Sequence, residues 1–358
     1  MNQLLKQFLL GLPFTFAVTT SFGQSYNTPE SVEYYPTDSS YFVANASSGE
    51  IFKLTANNAL EYFVDGLPAG PHGLELVGDT LYACTGGSVH AINAATGEIL
   101  FVIPIGGSFL NGITHAGNQL FITDFSAKKI ITYRIASNTF NTFVDGLLKT
   151  PNGIIYDSID NKLVLVNWGG SAPINAISLI DSTVTELTTT SLNNCDGIAM
   201  DCEGNFYVAS WSPQRISVFD HSFTAEPLTA DVTGILNAAD IYYNRFVDTL
   251  VIPSSGNNKV IKAYFESCFN VDTPVTVAAQ LNFNIGIHPN PVNELLYIDL
   301  PNNGIAYTYL IYNMVGQLLI ETHSPAHAIN VTKLNSGQYM LYIENEDAQF
   351  TTVVFVKE

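Results

Sequence analysis

Six positions about forty residues apart carry the side chains best suited to chemistry: Glu30, His72, Asn111, Asn152, Asp196 and Ala239. Each stands directly before an apolar run that reads as a strand. Five are polar, and four offer side-chain oxygens, the donors that hard cations such as Ca²⁺ take. If the six runs converge on one axis, these residues ring one mouth of a channel. Another origin is open to the same pattern, since Asn-Gly and Asp-Gly also suit turns that need a left-handed backbone. Equivalence across repeats, together with Glu30, is what favours a cation site.

The elements that must position this ring follow from an internal repeat. Phe63-Val64-Asp65-Gly66-Leu67 recurs unchanged as Phe143-Val144-Asp145-Gly146-Leu147, offset by 80 residues. Strand starts at Ser31, Gly73, Gly112, Gly153, Gly197 and Asp240 are spaced by 42, 39, 41, 44 and 43 residues. A polar turn follows each first strand, as at Gly117-Asn118-Gln119, and leads into further β-rich runs such as Leu120-Phe121-Ile122-Thr123 and Ile130-Ile131-Thr132-Tyr133. Four strands per unit cannot bury both sheet faces alone, but packing six units radially does so and leaves only short edges. The expectation is all-β: a six-bladed β-propeller over residues 24–270, followed by a small Ig-like β-sandwich over 285–358, with 271–284 as linker. The sixth repeat lacks a clear fourth strand. Either Thr276 to Ala279 supplies it, or the chain just after the leader does.

Composition narrows the function classes. Hydrophobic residues make up 47% of the chain, and 18 Tyr with 22 Phe favour strands over disorder. Acidic residues outnumber basic ones, 32 to 13, for a net charge of −19. That surface repels phosphate backbones, so nucleic acid is excluded as a partner. Residues 1–23 read as a signal peptide, with Lys6, an apolar stretch from Phe8 to Val18, and a Ser21-Phe22-Gly23 cleavage site. That stretch is too short for a membrane span, and no later segment qualifies. Cys84, Cys195, Cys202 and Cys268 form no disulfide framework; Cys195 and Cys202 flank one strand and do not pair, and buried free thiols are expected.

Pro289-Asn290-Pro291 marks the start of a new unit. Short strands follow at Leu295–Ile298, Tyr307–Tyr312, Leu318–Ile320, Gly337–Ile343 and Thr351–Val356, with a turn at Met314-Val315-Gly316-Gln317. With the Leu334-Asn335-Ser336-Gly337-Gln338-Tyr339 segment, this unit resembles the C-terminal sorting domain of proteins exported by the type IX secretion system of Bacteroidetes. The resemblance implies outer-membrane secretion machinery as a partner, and a secreted or cell-surface location reached through the periplasm. The other reading, a carbohydrate-binding sandwich, needs an exposed aromatic face, for which Tyr307, Tyr309 and Tyr312 are the candidates.

The propeller segment, through Pro29-Glu30-Ser31-Val32, Pro151-Asn152-Gly153-Ile154, Cys195-Asp196-Gly197-Ile198 and Asp201-Cys202-Glu203-Gly204-Asn205, resembles gluconolactonase/regucalcin-like six-bladed propellers. NHL-type propellers share parts of the pattern. The resemblance implies one divalent cation, Ca²⁺ by preference, on Glu30, Asn152 and Asp196. It also implies Asp196 as catalytic base for lactone hydrolysis and Asn111 as substrate ligand, with His72 beside it in the ring. Where the family's lactonases carry an Arg, two residues before Asn111, this chain has Phe109.

No G-x-S-x-G elbow, H-E-x-x-H helix, Walker loop or dinucleotide-binding glycine pattern is present. His90, His115, His221, His288, His323 and His327 have no partner at ligand spacing. Trp168 and Trp211 follow second strands of neighbouring repeats and can line the mouth, though blade-to-blade packing is their expected role. The sequence therefore supports a metal-dependent hydrolase of a lactone or small ester. The alternative is a non-catalytic propeller binding a carbohydrate, peptide or cell-surface partner.

Overall fold

A computed structural model describes residues 25–68, 70–265, 285–300, 307–313, 318–345 and 350–358. The leader, the linker 271–284, Cys268, residues 276–279 and the turn 314–317 lie outside the described residues. No α-helix occurs among those described.

The chain forms six consecutive antiparallel sheets, each a simple meander. Their innermost strands are Pro29–Tyr35, Leu74–Val77, Leu110–Ala116, Thr150–Asp157, Asn193–Met200 and Tyr242–Asn244. Blades 1 to 5 have four strands, and blade 6 has three among the described residues. The sheets are buried because their strands are apolar on both faces: Phe42, Val43 and Ala44 run consecutively in blade 1, all fully buried. Neighbouring blades then interlock through separate apolar clusters. Tyr82, Val89, Leu120 and Tyr133 join blades 2 and 3, and Phe121, Ile154 and Leu163 join blades 3 and 4. Val166, Ile198 and Phe206 join blades 4 and 5.

Closure uses the same device. Val32, Tyr34, Tyr41 and Val43 of blade 1 pack on Val251 of blade 6. Asp240 N–H donates to the Glu30 carbonyl at 2.8 Å, and Asn244 Nδ2 donates to Tyr41 Oη at 2.8 Å. Residues 25–28 ahead of blade 1 form no strand, so the described chain closes face to face, with no strand lent from the N-terminal side.

The C-terminal unit pairs a three-stranded sheet (Gly286–His288, Leu295–Asp299, Ala328–Asn330) with a four-stranded one (Leu318–Ser324, Tyr307–Asn313, Gly337–Asn345, Phe350–Lys357). Alternation along Leu295–Asp299, exposed at Leu295 and Tyr297 and buried at Leu296 and Ile298, is the pattern of a sheet with one face in a core. Tyr307 and Tyr309, 1% and 0% exposed, fill that core, while Tyr312, 3% exposed, meets Phe246 of blade 6 edge-on at 6.3 Å, so none of the three offers a glycan platform. Met340 and Val354 leave it and join the blade 1–blade 6 cluster, while Gln338 Nε2 donates to Asp79 Oδ1 at 3.2 Å. Cysteine chemistry differs in part from expectation. Cys84 and Cys195 are buried free thiols, but Cys202 is disulfide-bonded.

Candidate functional site at the propeller axis

Strand geometry explains how the periodic residues reach the axis. Pairing slips between Pro29 and Ser31 in blade 1, between Pro151 and Ile154 in blade 4, and between Cys195 and Ile198 in blade 5. Each slip falls at the candidate residue, Glu30, Asn152 or Asp196, and an irregularity of this kind re-aims a side chain. The same three residues, and Asn111, avoid the left-handed region. Turn chemistry is therefore not why they are there.

The glycines that follow have a steric role instead. None of Gly73, Gly112, Gly153 or Gly197 has a left-handed backbone. A methyl group at Gly112 would meet the Asn152 carbonyl at 2.5 Å, and one at Gly197 would meet the Ala239 carbonyl at 2.5 Å. Gly73 and Gly153 press likewise on Asn111 and Asp196 of the next blade. Four innermost strands thus approach one another backbone to backbone. Blades 1 and 6 break the rule with Ser31 and Asp240, and these two side chains bond each other, Ser31 Oγ donating to Asp240 Oδ2 at 2.8 Å.

At the mouth, Asn152 (1% exposed) donates through Nδ2 to Asp196 Oδ1 at 3.0 Å and to the Cys195 carbonyl at 3.2 Å. Its Oδ1 is buried with no hydrogen-bond partner. Asp196 is 3% exposed and Asn111 5%. Ala239 is buried and adds only its backbone to the ring. His72 is half-buried, with Nδ1 enclosed and unpartnered, and burial lowers its imidazole pKa to about 4, so the ring is neutral at pH 7.

Carboxylates dominate the electrostatics. Burial first, then the charge of Asp240, pushes Glu30 up to about 8. Burial raises Asp240 to about 7, with Glu75 adding to the rise and Ser31 opposing it. Asp196 is raised by burial, Glu30 and Asp240, against hydrogen bonds from Asn152 and Trp211. Among the described residues no cationic side chain offsets any of the three. Below them a cavity of about 210 Å³ is lined by Glu33, Glu75, His115, Asp240, Tyr242 and Arg245, among others. Here burial, Glu75 and Asp240 drive Glu33 up. Burial would lower His115, but its contact with Glu75 outweighs that and raises it.

Of the expected ring, Asn152 and Asp196 are in direct contact and Glu30 acts electrostatically on Asp196, while the acidic residues around the neighbouring cavity went unforeseen. Glu33, Glu75 and Tyr242 sit three places after Glu30, His72 and Ala239. Following the same forty-residue period at that offset would have found them. His115 and His221, read as unpartnered, are both paired, His115 with Glu75 and His221 with Asp157 at 3.0 Å. Among the described residues only Asp157, Asp160 and His221 bring three His or acidic ligand atoms within 4.8 Å of one another. Lys162 already supplies the cation there, 2.6 Å from Asp160 and 3.5 Å from Asp157.

Residues 286–357 match the family described as secretion system C-terminal sorting domain. The C-terminal unit is a sorting domain. It makes this a type IX secreted or cell-surface protein that meets the secretion machinery through its tail. No curated protein matches the chain. Solved structures similar to the propeller include a gluconolactonase from Xanthomonas campestris, at 15% identity over 64% of this chain and 84% of that one, with a TM-score of 0.55. A streptogramin B lyase shares 15% identity over 68% and 85%, with a TM-score of 0.52. A protein of unknown function from Bacteroides thetaiotaomicron shares 13% over 66% and 69%, with a TM-score of 0.56. At these identities the likeness is one of fold.

Proposed function

We propose that the propeller is a hydrolase of a lactone or similar small ester, with one divalent cation, Ca²⁺ by preference, held at the axial mouth by Glu30, Asn152 and Asp196. The observation that carries this reading is the Asn152 Oδ1 atom. A buried amide oxygen without a donor is costly to leave unsatisfied, and this one lies beside carboxylates that no side-chain cation neutralises. Two carboxylates and an amide oxygen are the donor set a hard cation takes.

Bound there, a divalent cation supplies Lewis acidity toward a carbonyl oxygen. The chain's own residues account for the rest. Asp196, which accepts the Asn152 amide and would be ionised with a cation beside it, would take a proton from a water at the mouth. Asn111 and the neutral His72 face the same mouth and make no side-chain hydrogen bonds of their own, which leaves them free to position an uncharged ligand.

The test is turnover of a phenyl-substituted γ-lactone and phenyl acetate with Ca²⁺ and with a chelator. The reading expects turnover that needs the metal and is lost in both Asp196→Ala and Glu30→Ala. Equal hydrolysis without metal would sink it. A second reading, non-catalytic binding, is favoured by one feature, the absence of any Lys or Arg among the mouth residues, with Phe109 where a guanidinium is usual. It expects retention of a glycan or protein ligand that survives Asp196→Ala.

A further inference from the structure

Five aromatic rings stand in unbroken contact around the mouth, one after another through blades 2 to 5. His72 meets Phe109 edge-on at 4.6 Å, Phe109 meets Phe125 at 5.4 Å, Phe125 meets Trp168 at 6.0 Å, and Trp168 meets Trp211 at 4.8 Å. All five are half-buried. A cluster serving only to pack blades would be closed over, as Phe121 and Tyr133 are at 2% and 1% exposure.

The arc is also held rigid. Asp124, fully buried, accepts the backbone N–H groups of Ser108, Phe109 and Ala127 at 2.8, 3.1 and 3.0 Å. Phe125 N–H donates to the Phe109 carbonyl at 2.8 Å, which fixes one phenyl ring against the other. Trp211 Nε1 donates to the Ala238 carbonyl at 3.1 Å, tying the far end of the arc to blade 6. Rigid aromatics set beside a few polar groups are the make-up of small-molecule sites.

From this arrangement we infer that the arc is the specificity surface of the mouth, and that it selects an uncharged, ring-bearing ester or lactone with an apolar face. Three features exclude other ligands. Among the described residues the mouth carries no lysine or arginine, and Glu30 with Asp196 balances the charge of the one cation, so an anionic ligand gains no net counter-charge. The polar groups left without bonds, Asn111 and His72, are neutral and few, so a polyhydroxylated sugar leaves most of its hydroxyls unpaired. With a cation on Glu30, Asn152 and Asp196, the acidic side of the mouth is neutralised and offers no extra attraction to an organic cation. The inference rests on the axial-ligand reading above and adds the class of molecule bound.

Trp168 and Trp211 are the only two tryptophans in the chain, so intrinsic emission reports the arc directly. The probe is a phenyl-substituted pyrrolidinone, an uncharged lactam not consumed by a lactonase, compared with gluconolactam, choline and benzoate on the full chain. We expect a saturable emission change with the phenyl lactam, at an affinity at least about tenfold above the other three. Phe125→Ala should weaken it by roughly three- to tenfold. Phe125→Leu, which keeps bulk but loses the ring, should weaken it similarly with an unchanged thermal midpoint.

No response to the phenyl lactam, equal or tighter binding of any comparison ligand, or full affinity in a folded Phe125→Leu protein overturns the inference. Each titration is run with Ca²⁺ and with a chelator. An emission response without any Ca²⁺-induced stabilisation keeps the arc and removes the metal; Ca²⁺ stabilisation without an emission response does the opposite.

Discussion

Raising the pH of metal-stripped protein should destabilise the propeller over a range where ordinary carboxylates have long finished titrating. Glu30 is lifted from 4.5 to about 8 and Asp240 from 3.8 to about 7, in each case by burial before any other cause. A carboxyl whose pKa is raised by folding holds a proton that the unfolded chain has released. Its contribution is intact below the unfolded value and is lost as pH climbs through the folded one. At about 1.4 kcal/mol per pH unit, Glu30 alone corresponds to roughly 5 kcal/mol between pH 4 and 9. Asp240 cannot simply be added, because its charge is part of what lifts Glu30. For a domain of this size such a loss lowers the midpoint by on the order of 10 °C. Ca²⁺ should reverse the trend, since it binds the ionised carboxylates and adds about 2.7 kcal/mol at a hundred times its dissociation constant. The assay is scanning calorimetry from pH 5 to 9 with Ca²⁺ and with a chelator, on wild type and Glu30→Gln. The metal-free midpoint should fall most steeply across about pH 5 to 7, where both groups keep protons that the unfolded chain has lost, and level off above about 8; the Ca²⁺ shift should grow with pH, and Glu30→Gln should flatten both curves. A metal-free midpoint that holds or rises to pH 9, or a Ca²⁺ shift no larger at pH 8.5 than at 5.5, would refute the carboxylate argument.

Other consequences are open to direct measurement. Gly153→Ala should cost about 1–3 kcal/mol in chemical denaturation, because its methyl would press on the Asp196 carbonyl and the Gly197 backbone with no strained φ to share the blame. Asp240→Asn keeps a partner for Ser31 while removing a charge that raises both Glu30 and Asp196, so the pH at which Ca²⁺ begins to stabilise should move downward. Asp160→Asn should leave the Ca²⁺ shift untouched and change stability by less than about 1 kcal/mol, since its partner Lys162 forms an exposed pair. Met340→Asp would place a charge among Val32, Tyr34 and Val354, and should make the C-terminal unit separable from the propeller by limited proteolysis.

How far the sequence could be read depends on which feature is asked about. The blades were legible because a forty-residue period in strand starts has few physical explanations, and Phe63–Leu67 with its copy at 143–147 repeats it residue for residue. The mouth was legible for the same reason, although the turn preference of Asn-Gly proved beside the point: Gly112, Gly153 and Gly197 are required by the next blade's backbone. What stayed hidden was every feature made by contact between blades. Phe125, Trp168 and Trp211 share one place, the end of the second strand of their blades, but Phe109 and His72 lie ahead of first strands, and only the radial arrangement turns the five into one surface. The disulfide of Cys202 was hidden for a like reason, since strand spacing can rule out a neighbour as partner but cannot supply a distant one.

Glu33, Glu75 and Asp240 show where the two kinds of feature meet. Each sits at a periodic position, so the sequence could place it in the channel. For Glu33 and Asp240, protonation depends on the carboxylates that the other blades bring to face them, which no single repeat contains. Four blades put glycine where blade 6 puts Asp240, and a charge set among backbones that close is stable only if something answers it. Ser31 answers one oxygen. Burial and the neighbouring acids leave the rest of that charge without a partner, and this supports the proposal of a cation at the axis more than any single ligand residue does.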